Sequence, residues 1–141
     1  MGNKLTLADF TKKATDKYNN RKMIIEIEVE GMDGTVTFTR PSQNELLEYK
    51  SKNANAIKTE KGENGKAQVS EMDFVLMTEA AVVLIYNSCT FMHDENLQKA
   101  LDVKDPYDVV TKIFGTDGTV DIANKISDAF SDEEVVEKIK N

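Results

Sequence analysis

The stretch that most restricts this chain is Phe-Val-Leu-Met-Thr-Glu-Ala-Ala-Val-Val-Leu-Ile-Tyr over residues 74–86. It is long enough for a helix of more than three turns, and it is apolar almost all round. A helix with no wet face is normally the one that others pack against, so the rest of the fold has to be built around it. Thr78 and Glu79 interrupt the run, which is too short to span a bilayer. Ser70 and Asp73 precede it as capping residues, and it is expected to end between Asn87 and Cys89.

Upstream, Leu7, Phe10, Ala14 and Tyr18 recur at helical spacing, with Lys12, Lys13 and Lys17 on the other sides, so the chain opens on an amphipathic helix. Residues 23–30 then alternate strictly. Met23, Ile25, Ile27 and Val29 share one face, and Glu26, Glu28 and Glu30 share the other. Turn chemistry in Gly31-Met-Asp-Gly34 leads to a second alternating segment with Val36 and Phe38 inward, giving an antiparallel hairpin. Two strands alone are marginal, so their apolar face must lie on helices. Ser42 and Glu45 are spaced as a capping box after Pro41, and Leu46, Leu47, Ala54 and Ile57 form the stripe of the helix they start. Residues 58–68 are polar and lysine-rich with Gly62 and Gly65, and read as a mobile loop.

The last third reads as short helices. One runs over residues 94–101, and one starts at Asp105-Pro106 with Tyr107, Val110, Ile113 and Phe114 on a face. After a break at Gly115-Thr-Asp-Gly118, a helix over residues 119–130 carries Ile122, Ala123, Ile126, Ala129 and Phe130. A capping box at Ser131 and Glu134 precedes Val135, Val136 and Ile139. The whole is an α+β fold, a mainly helical single domain of 141 residues with one antiparallel β-hairpin packed on the central apolar helix.

With 25 acidic and 18 basic residues, the chain carries a formal charge of −7, which phosphate backbones repel; nucleic acid is not an expected partner. The single cysteine, Cys89, excludes an internal disulfide and suits a reducing compartment. No apolar segment resembling a secretion signal opens the chain, so a cytoplasmic location without membrane contact is expected by elimination.

Little in the chain points to chemistry. Cys89 and His93 stand four apart, the spacing of a nucleophilic pair or half a zinc site on a helix, but the chain has no second Cys or His. A structural cysteine and a surface histidine are the simpler reading. The carboxylate groups at Glu26 and Glu28, at Glu71 and Asp73, and at Asp132, Glu133 and Glu134 fall on a solvated strand face or at helix starts. Neither position raises a carboxyl pKa as acid–base catalysis needs. Gly62 and Gly65 build no phosphate cradle, and Lys52 to Lys66 are interleaved with Glu60 and Glu63 without aromatic neighbours. No catalytic residue, cofactor or metal is expected.

What remains is surface: either every apolar stripe closes on the central helix, or one is offered to a partner. The stripe after the glycine break is the candidate, giving Ile122, Ile126, Phe130, Val135, Val136 and Ile139 as partner-binding residues.

Three segments carry a family resemblance: Leu5-Thr-Leu-Ala-Asp-Phe10, Phe38-Thr-Arg-Pro-Ser-Gln-Asn-Glu45, and above all Leu97-Gln-Lys-Ala-Leu-Asp-Val-Lys-Asp-Pro-Tyr-Asp-Val-Val-Thr-Lys-Ile-Phe114. Together they resemble the XkdN-like tail assembly chaperones of contractile-tail phages, prophages and phage-like bacteriocins of Gram-positive bacteria. The chain departs from that pattern in having Gly115-Thr-Asp-Gly118 in place of a proline-glycine turn, and in its glycine-containing segment at residues 58–68. The resemblance implies a non-catalytic protein of the bacterial host cytoplasm. It would bind the tape measure protein, keep it soluble until tail tube protein replaces it, and be missing from the mature particle. Self-association, and a frameshift-extended form, are compatible with it. The alternative is a structural tail or neck component retained in the particle.

Overall fold

A computed structural model describes residues 4–131. The first helix, α1 (Leu7–Asn19), is capped by the Thr6 hydroxyl, which accepts from the Asp9 amide at 3.2 Å. The strands β1 (Ile24–Val29) and β2 (Gly34–Thr39) form an antiparallel hairpin in which Ile25 faces Phe38 and Ile27 faces Val36. The expected alternation holds from Ile25 onward: Ile27, Val29 and Phe38 are buried, and Ile25 and Val36 half-buried. Met23 lies before the strand and is exposed.

Helix α2 (Gln43–Ala56) begins with the expected capping box. The Ser42 hydroxyl accepts from the Glu45 amide, and the Glu45 carboxylate accepts from the Ser42 amide at 3.0 Å. The segment after α2 is not the loop expected of it. Residues 58–68 belong to a second hairpin, β3 (Ile57–Lys61) and β4 (Ala67–Met72), around a turn with Gly65 at φ 78°. β-Branched Ile57, Thr59 and Val69 favour extended backbone, but charged residues populate both faces, so no alternation announces it. Every residue of both strands is exposed. The fold is α+β, as expected, with two antiparallel hairpins where one was expected.

Helix α3 (Phe74–Ser88) is capped by Asp73, whose carboxylate accepts from the Leu76 amide at 3.0 Å; Ser70 lies in β4 and takes no part in that cap. The Asp73 amide donates to the Ala56 carbonyl at 2.7 Å, joining the start of α3 to the end of α2 across the base of the second hairpin. A 3-10 turn (Thr90–His93) and α4 (Glu95–Ala100) lead to α5 (Asp108–Phe130), which kinks at Gly115. There φ 71° and ψ 172° leave the helical region, and the Thr119 hydroxyl donates to the freed Gly115 carbonyl. The expected break is thus confined to Gly115; Gly118 lies within the helix.

The core gathers Ala80, Ala81, Leu84 and Ile85 of α3 against Val109, Val110, Ile122, Ala123, Ile126 and Phe130 of α5, with Phe38 and Tyr49 closing it. Thr39 ties β2 to α3 by donating to the Ser88 carbonyl at 3.2 Å, and Arg40 ties the hairpin's end to α5 by donating to the Phe130 carbonyl at 3.3 Å. No helix among the described residues is long and apolar enough to cross a membrane.

Candidate functional site

The candidate residues on α5 require correction first. Ile122, Ile126 and Phe130 are no exposed stripe: Ile126 and Phe130 are at most 1% accessible, and Ile122 is 6%. Both halves of α5, before and after the Gly115 kink, pack in the core with α3, so this apolar face is consumed there. Val135, Val136 and Ile139, with the expected capping box at Glu134, lie outside the described residues.

The open apolar surface is elsewhere, on the central helix itself. Although α3 is apolar almost all round, only the face of Ala80, Ala81, Leu84, Ile85 and Ser88 is fully buried; Val82 and Tyr86 are half-buried against the core. Its opposite face carries Val75, Thr78 and Val82 at helical spacing, and Phe74 and Val75 are 68% and 70% exposed. This face is one wall of a groove of about 1070 Å³; the other wall is α5, through Thr111, Val120 and Asn124. Tyr107 also lines it, its ring tilted at 42° against Tyr86 with centroids 4.5 Å apart.

Charge around the groove is one-sided. Glu79, Asp105, Asp108, Asp117 and Asp121 line it against one cation, Lys52. Asp121 is engaged by Lys125 on the next turn at 3.1 Å, in an exposed pair. The arrangement is an apolar floor between acidic banks. It can take up one apolar helical face, with basic residues of the incoming segment meeting the rim. Sequence reasoning missed the groove because a run without a polar face reads as wholly interior.

Cys89 and His93 do not form a pair. Cys89 is buried at the end of α3, where the backbone turns extended, so the helical spacing that would align the two is lost. His93 is exposed, donates from Nε2 to the Tyr86 carbonyl at 2.8 Å, and lies against the Tyr86 ring at 4.0 Å. Glu26 and Glu28 are exposed, and no group of three or more His, Cys, Asp or Glu among the described residues could hold a metal ion.

Burial pushes the Cys89 thiol above its ordinary value of 9.0, against the opposing backbone hydrogen bonds from Phe91 and Met92. Burial likewise raises the Tyr49 phenol above 10.0, partly offset by a hydrogen bond with Asn53, while the Asp128 charge adds to the rise. In both cases the folded state keeps a proton that the unfolded state has lost. The stability they contribute is therefore complete below pH 9.0 and declines as pH rises toward the folded values. Urea midpoints should be flat just below that pH and fall above it, and Cys89→Ala should remove the earlier part of the fall. A midpoint that rises with pH there would contradict this account.

The chain matches no protein-family model, no curated protein and no solved structure at a significant level.

Proposed function

We propose that this protein is a tail assembly chaperone that holds an apolar helical segment of a phage tape measure protein in the groove between α3 and α5. The observation that carries the reading is the exposed start of α3, where Phe74 and Val75 present aromatic and aliphatic surface, continued by half-buried Val82, beside a carboxylate rim. Long apolar helices precipitate unless that surface is covered, and a shallow groove covers it a few turns at a time. Several copies along one client would hold it by summed weak contacts, leaving each copy displaceable by tail tube protein. The net charge of −7 would keep such a complex dispersed. On this proposal the protein works in the host cytoplasm and is left behind when the particle matures.

The direct test is co-expression with a phage tape measure protein. Val75→Asp should reduce co-purification by about tenfold or more, because it forfeits roughly 1.5–3 kcal/mol of side-chain burial and puts a charge in the contact. Its circular dichroism should be unchanged, since Val75 is 70% exposed in the free protein. Undiminished capture by the folded variant would remove the groove from the proposal. Stoichiometric protein in purified tails, by mass spectrometry, would favour a structural tail component instead.

A further inference from the structure

The helix α1, like the second hairpin, contributes no buried side chain to the core. None of its residues is buried: Leu7 is 80% exposed, Phe10 57% and Tyr18 62%, and these three with Ala14 form one continuous apolar face. An isolated helix of 13 residues is marginal in water, so a face of this kind calls for a cover. Its charge is opposite to that of the remainder. Residues 4–22 hold six of the chain's 18 basic residues and two of its 25 acidic ones, leaving twelve basic against twenty-three acidic for the rest.

We infer that the groove between α3 and α5 receives the α1 helix of a second copy of this chain. The apolar face of α1 repeats at the three- and four-residue spacing that a helix-in-groove contact uses. Phe10 and Leu7 would lie on Phe74, Val75 and Val82, while Lys13 and Lys17 beside that apolar face meet Asp108 and Asp117. At roughly 1.5 Å per residue, α1 is roughly 20 Å long, enough to lie along several turns of α3. The two surfaces belong to different parts of the molecule, so the contact is head-to-tail: each copy offers one helix and one groove, and the association can propagate beyond a pair. A lipid surface is the rival partner for a basic amphipathic helix, but the acidic remainder of the chain would be driven away from anionic headgroups.

The inference rests on the proposed function only in using the same groove, and its test needs no client. Sedimentation velocity on the purified full-length protein should show mass-action growth beyond dimer. Phe10→Asp disables the helix and Val75→Asp the groove, and both residues are exposed in the single copy, so each variant should stay folded by circular dichroism. Each alone should associate about tenfold or more weakly than the unaltered protein, the loss expected for one apolar anchor. Mixed together, they should form a one-to-one complex that grows no further, because one intact helix and one intact groove remain. High salt should weaken that complex as the attraction of lysines for carboxylates is screened. A monomeric unaltered protein, undiminished self-association of either variant, or a mixture that associates no more strongly than each variant alone would each overturn the proposal. So would a monomer that floats with anionic vesicles through α1. Phe10→Asp should still capture the tape measure protein while Val75→Asp does not, which separates failure of this inference from failure of the client reading.

Discussion

Replacing Phe130 with alanine should lower the unfolding free energy by about 3–5 kcal/mol, the usual result of deleting a large aromatic side chain from a packed interior. A domain of this kind has roughly 5–15 kcal/mol in total, so the variant should lose a large fraction of its stability. The expectation comes from where Phe130 sits. It is 1% accessible at the end of α5, its carbonyl accepts from Arg40, and the guanidinium lies 5.6 Å from the ring centroid. Truncation therefore opens a void and removes the surface on which the arginine rests. Phe10→Ala is the matching control, with the same atoms removed from a side chain that is 57% exposed. Its effect on chemical denaturation of dilute protein should be within about 0.5 kcal/mol. Two similar small losses would mean that α5 does not pack on α3 as described.

The second large effect is expected at Gly115. Its φ of 71° with ψ of 172° lies in a region that side chains other than hydrogen rarely enter. An added Cβ would meet nothing within 4 Å, so Gly115→Ala isolates the backbone penalty from any clash, and about 1–3 kcal/mol should be lost. Gly118, three residues on, is helical, and its added Cβ would make an ordinary contact of 3.7 Å with Phe114. Gly118→Ala should therefore gain up to about 1 kcal/mol through helix propensity. Thermal denaturation of the two variants should move in opposite directions. A stabilised Gly115→Ala would indicate that α5 prefers to be straight, and the burial of Ile122, Ile126 and Phe130 would need another explanation.

These two sites also mark what a sequence can and cannot reveal. Elements defined by a local code were legible: the capping box at Ser42 and Glu45, the alternation of Ile25, Ile27 and Val29, and the helical spacing of Leu7, Phe10 and Ala14. Each is written within a few residues and does not depend on distant neighbours. The second hairpin was not, because Lys58, Glu60, Lys61 and Glu71 stand in strands that face water on both sides and so lack a hydrophobic period. Which apolar stripe would be left uncovered was also illegible. Spacing places Ile122 and Ile126 on one face as clearly as Phe74 and Val75 lie on an apolar run, but only the tertiary packing of α5 on α3 decides which of them is covered. The glycine break was visible in the sequence; that the helix continues beyond it and buries Ile122, Ile126 and Phe130 was not. For the same reason the groove could not be anticipated from an apolar run whose two faces look alike.

The second hairpin has a practical use. Its tip, between Gly62 and Lys66, lies about five residues from the strand base at Ile57 and Met72, or roughly 17 Å along extended backbone. The strands contribute no buried side chain, and their ends are already held together by the hydrogen bond from Asp73 to Ala56. An epitope or fluorophore-carrying peptide inserted after Glu63 would enlarge a closed loop, a change whose entropic effect grows only slowly with length. The arm thus offers an attachment point through which assembly could be followed in living cells.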